Sequence, residues 1–123
     1  MARPLSVGVV GLGTAGAASA LFLARRGHRV KVFEKTLQSD CHTAVGAGIG
    51  LQPIGLTVLK RLGLLQPILD HGARIDRLKS VTDTGTPILD LSYADFRPEL
   101  YGVGLHRDVL FQALHHACQL HQL

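Results

Sequence analysis

The chain has 123 residues, 46% of them hydrophobic and 18% charged, the balance of a globular domain rather than a disordered segment. That length allows one domain at most, and no apolar run approaches the roughly 20 residues of a membrane span. The net charge of +4 comes from 13 basic residues scattered without a run, and aromatics make up 5%, so nucleic acid is not an indicated partner.

Met1-Ala2-Arg3-Pro4 leads straight into the first predicted strand. No signal peptide is therefore expected, and a cytoplasmic setting is. Val7, Val9 and Val10 form a short β-branched run suited to a buried strand. Gly11-Leu12-Gly13-Thr14-Ala15-Gly16 follows. In the dinucleotide-binding pattern, Gly11 makes the sharp turn out of the strand. Gly13 lets the backbone approach a pyrophosphate, and Gly16 lets the next helix pack close to the sheet. The N–H groups of Thr14 and Ala15 lie at the helix N-terminus, where the macrodipole favours an anion. Ala17 to Arg26 has helical composition, and Gly27 marks its end. Arg29 to Phe33 alternates charged and apolar residues as a second strand and stops at Glu34, 18 residues after Gly16. A carboxylate there can accept hydrogen bonds from both ribose hydroxyls and would repel a 2′-phosphate. The unit therefore points to an adenine dinucleotide, FAD or NAD, and disfavours NADP.

Leu37 to Thr43 is a polar connection. Gly46, Gly48 and Gly50 then alternate within Val45 to Leu51, and Pro53 opens a helix carried by Ile54, Val58, Leu59 and Leu62. A short helix is predicted over Leu64 to Asp70, closed by Gly72. Arg74 to Thr82 and Pro87 to Leu91 read as two strands of a β-hairpin around Asp83-Thr84-Gly85-Thr86. Tyr93 to Gly104 reads as irregular, and Asp108 to Gln119 as an amphipathic helix. Its apolar stripe is Val109, Leu110, Ala113, Leu114 and Ala117. With two parallel strands visible and the chain stopping at Leu123, that stripe is expected to lack a sheet to cover. It would then favour self-association. Cys41 and Cys118 show no metal or redox spacing, and His42, His71, His115, His116 and His121 read as surface histidines, so no metal site is expected. No side chain presents itself as a catalytic acid, base or nucleophile.

Three blocks together resemble the N-terminal FAD-binding segment of class A flavoprotein monooxygenases, the para-hydroxybenzoate hydroxylase group. They are Gly11 to Glu34, then Val45 to Pro53 with the helix behind it, and Gly104-Leu105-His106-Arg107-Asp108-Val109-Leu110. The first block occurs in many enzymes; the joint occurrence of the second and third is more specific. The resemblance implies an α/β fold: a Rossmann-like βαβ unit with helices and a β-hairpin, truncated before the sheet is complete. It implies that residues 1–123 are the N-terminal part of an FAD-binding domain whose substrate-binding domain is absent. Thr14 and Ala15 would meet the FAD pyrophosphate, and Glu34 would hold the adenosine ribose with Lys35 beside it. Ala47 and Gly48 would lie near the flavin, and Arg107 would reach back to the phosphates, a task suited to a planar guanidinium. The activity implied is hydroxylation of an aromatic or similar small organic substrate, with NAD(P)H reducing the flavin.

Two departures stand out. Ile54 occupies the place where such proteins commonly carry Asn, and the family's later Asp-Gly and Gly-Asp motifs do not occur here. Two other readings fit parts of the sequence. One is an NAD-binding dehydrogenase domain, which Glu34 would serve equally well. The other is a non-catalytic, truncated remnant.

Overall fold

The computed structural model describes residues 3–35 and 48–123. Strand β1 (Ser6–Val10) pairs in parallel with β2 (Arg29–Phe33), in a register that sets Val10 beside Phe33. Helix α1 (Thr14–Arg25) makes the crossover between them. It ends as its sequence dictates: Gly27 takes a positive φ of 82°, a conformation that costs a residue without Cβ little. Ala17, Ala20 and Leu21 of α1 are fully buried.

A second sheet is antiparallel and has β7 (Gly102–His106) in its centre, between β3 (Gly48–Leu51) and β4 (Ala73–Ile75). The stretch read as irregular, Tyr93 to Gly104, thus overlaps the start of the central strand at Gly102 to Gly104. Gly102 and Gly104 depress its strand propensity, but ladder pairing on both edges overrides that weak preference. The first arm of the expected hairpin is also divided. Ala73–Ile75 pairs with β7, whereas β5 (Arg77–Val81) pairs with β6 (Pro87–Ser92). The break falls at Asp76, whose carbonyl accepts a hydrogen bond from Tyr93 N at 3.1 Å.

Helix α2 (Pro53–Arg61) begins with proline in its first turn and has no side-chain cap. Ile54, at the position where Asn was expected, is exposed. The other end of α2 is held from outside: Arg25 donates to Arg61 O at 3.0 Å and to Leu62 O at 2.6 Å. These bonds occupy carbonyls that a helix end leaves without partners. Helix α3 (Leu65–His71) follows, and α4 (Arg107–Leu120) leaves directly from β7.

One core joins Leu21 of α1, Leu56 and Leu59 of α2, Ile68 of α3, Val103 of β7, and Leu110 and Leu114 of α4. This corrects the expectation of an uncovered α4 stripe. Leu110, Leu114 and Ala117 are buried, Val109 and Ala113 are partly buried against the same core, and α4 packs on α1. Another helix supplies the apolar partner of this stripe. The exposed large hydrophobics lie elsewhere, among them Val10, Phe33, Ile54, Ile88 and Phe96.

Candidate functional site

The parallel register brings the end of β2 to the glycine turn. Gly11 N donates to Phe33 O at 2.7 Å, which fixes the two strand ends side by side. Glu34 is the next residue, and its Oε2 accepts a hydrogen bond from Leu12 N at 2.6 Å. Gly11 has φ of +91°, so the turn needs a residue that tolerates the left-handed region. A Cβ on Gly16 would lie 2.0 Å from Gly11 O. The first turn of α1 therefore sits against the turn that precedes it, and no larger residue fits there.

Gly13 is different. A Cβ added to it would meet nothing within 4 Å. It is the N-cap of α1, with no side-chain cap and no acidic residue in the first turn. The first N–H groups of a helix have no carbonyl partner within it. Gly13, Thr14 and Ala15 are exposed, so these donors face open space at the positive end of the helix dipole. A diphosphate matches that donor set in charge and hydrogen bonding, and the empty space beside Gly13 lets it come close. The residues present therefore fit the pyrophosphate of a dinucleotide. Lys35 is exposed beside Glu34.

The second and third sequence blocks meet as neighbouring strands. Gly48 of β3 is the ladder partner of His106, the last residue of β7, and Arg107 comes next as the first residue of α4. Arg107 is exposed and pairs with no carboxylate among the described residues. Ala47 lies outside the described residues. Gly11, Gly13, Thr14, Ala15, Gly16, Glu34 and Lys35 thus gather at the β1–α1 turn, and Gly48 and Arg107 gather at the β3–β7 end.

The sequence reading missed His115. It is buried, and its Nε2 lies 3.0 Å from Leu12 O. The ring packs on Phe111, with centroids 3.8 Å apart. Cys118, one turn further, points its thiol at Ala17 O at 3.8 Å, and burial pushes that thiol above its ordinary range. A wider stripe on α4 would have revealed both, since His115 follows Leu114 and Cys118 follows Ala117.

Among the described residues, no group of three or more His, Cys, Asp or Glu could hold a metal ion. No helix among them is long and apolar enough to cross a membrane. A groove lined by Pro53, Leu56, Thr57, Lys60, Glu99 and Tyr101 includes none of the site residues above.

Comparison with known proteins bears on the same elements. The FAD binding domain family matches residues 4–119. The chain belongs to this family. Over 117 residues it is 38% identical to 3-amino-4-hydroxybenzoate 2-monooxygenase of Streptomyces cremeus, covering 91% of this chain and 29% of that protein. It is 36% identical over 105 residues to kynurenine 3-monooxygenase of Salinispora tropica, covering 80% of this chain and 20% of that protein. Among solved structures, the tetrameric form of 2-methyl-3-hydroxypyridine-5-carboxylic acid oxygenase superposes with a TM-score of 0.79 at 24% identity, over 99% of this chain and 31% of its own. The chain therefore has the Rossmann-like fold of FAD-binding monooxygenases and spans about a third or less of the length of these relatives.

Proposed function

We propose that residues 1–123 form the N-terminal part of the FAD-binding domain of a flavin-dependent monooxygenase. Its substrate is an aromatic or similar small organic molecule, and its reductant is NADH or NADPH. The observation that carries this reading is the uncapped N-terminus of α1 beside the open flank of Gly13, in a chain of the FAD binding domain family.

In this reading Gly11, Gly13 and Gly16 shape the turn, and the N–H groups of Thr14 and Ala15 hold the FAD pyrophosphate. Glu34 accepts hydrogen bonds from the adenosine ribose, with Lys35 beside it. Gly48 would face the flavin end of the cofactor, and Arg107 would balance phosphate charge. When bound, the flavin would supply the redox chemistry of a hydroxylation that consumes oxygen and a nicotinamide reductant. This chain's residues bind and orient it. None of them is assigned as a catalytic acid, base or nucleophile.

The family match favours FAD over the NAD-binding dehydrogenase alternative. The test is a titration of the chain with FAD and, separately, with NAD, followed by fluorescence. Preferential, saturable binding of FAD supports the proposal. Preference for NAD, or binding of neither, contradicts it.

A further inference from the structure

We propose that His115 is a positioning residue for the cofactor loop: it aims the Gly13 N–H at the bound pyrophosphate by holding the carbonyl of Leu12. The inference rests on the FAD reading above and extends it to a helix far away in sequence.

Leu12 lies between two glycines, so its neighbours on both sides have wide backbone freedom. Two bonds restrain it. Glu34 Oε2 takes the Leu12 N–H, which fixes the Gly11–Leu12 peptide. His115 Nε2 lies 3.0 Å from the Leu12 carbonyl, which belongs to the next peptide, Leu12–Gly13. In a planar trans peptide the carbonyl and the following N–H point in opposite directions. Holding Leu12 O toward buried α4 therefore turns the Gly13 N–H away from α4. Gly13 itself is exposed, with nothing within 4 Å of where its Cβ would be.

The donor itself is fixed. A carbonyl only accepts, so the bond requires the proton on Nε2. The ring is clamped by Phe111, one turn earlier on α4. Cys118, one turn later on the same side, contacts Ala17 O of α1. The two contacts reach back across 103 and 101 residues, to Leu12 just before α1 and to Ala17 in its first turn. α4 thus serves the glycine loop as a rigid backing, and His115 is the polar point of that contact.

The test compares His115→Phe, His115→Leu and His115→Gln with wild type. Phe keeps a ring against Phe111 without a donor, Leu removes the ring, and Gln restores an N–H donor at similar reach. Two quantities are read: the FAD dissociation constant, and the backbone order parameter of Gly13 in the cofactor-free protein. The proposal expects Phe and Leu to weaken FAD binding about tenfold, the loss of one hydrogen bond, while Gln stays close to wild type. It expects the Gly13 order parameter to fall from about 0.85 to below about 0.6 in Phe and Leu, and to hold in Gln. Unchanged affinity and order in Phe and Leu would overturn the proposal. So would equal losses in all three, which would mark the ring as packing alone. If wild type binds no FAD, the FAD reading fails, and the Gly13 order parameter still decides whether His115 positions the loop.

Discussion

Glu34 and Leu12 are 22 residues apart in sequence, and their contact, Leu12 N to Glu34 Oε2 at 2.6 Å, closes the end of β2 over the glycine turn. The parallel register makes this possible by placing Phe33 beside Val10. One carboxylate thus braces the loop and stands where the second strand ends. Under the proposed function, replacing it is expected to act on both loop order and ribose recognition. Glu34→Ala is expected to weaken FAD binding by about 1–3 kcal/mol, the range for hydrogen bonds to a charged group. Titration of wild type and variant with FAD measures this, and equal affinities would remove Glu34 from the site.

Gly16 and Gly13 should respond differently to the same added methyl group. At Gly16 a Cβ would stand 2.0 Å from the Gly11 carbonyl oxygen, backbone that cannot swing aside. Gly16→Ala is therefore expected to cost about 1–3 kcal/mol of folding stability. Gly13→Ala, with open space around it and φ of −70°, should leave stability nearly unchanged. Urea unfolding of both variants checks the contrast.

Leu114 tests whether α4 is part of the core. It is 1% exposed, in the cluster that joins α4 to α1 and β7. Leu114→Ala is expected to destabilise by about 2–5 kcal/mol. A loss below 1 kcal/mol, on the order of surface substitutions, would mean that the stripe is not packed as described.

On the β5–β6 hairpin, Arg77 donates to Asp90, and that hydrogen bond holds the Asp90 carboxyl below its ordinary value of 3.8. The lowered folded value sets the sign. The contribution is fully present above the unfolded pKa and is lost as pH falls through the folded one. Both groups are exposed, so the effect is small. Melting temperature measured in acid should fall less steeply in Asp90→Asn than in wild type as pH drops below 3.8.

The βαβ unit was legible because each part has a local cause: valines for β1, glycines for the turn, Gly27 for the helix end, Glu34 after β2. Pro53 likewise announced α2. What escaped depends on partners distant in sequence. β7 looks irregular because Gly102 and Gly104 carry little strand propensity, and its pairing with β3 and β4 spans large sequence separations. The α4 stripe looked uncovered because its partner is α1 rather than a later strand. His115 looked like a surface histidine because its acceptor is a backbone carbonyl, and no side-chain pattern encodes that.

The central claim is that the open N-terminus of α1 receives the FAD pyrophosphate beside Gly13. The most direct measurement is FAD titration of wild type against Gly13→Val, with far-UV circular dichroism on both. The account predicts saturable binding by wild type, unchanged secondary structure in the variant, and loss of its FAD binding, because the branched side chain fills the space the phosphates need. FAD binding by Gly13→Val as tight as wild type, with the fold intact, would contradict it.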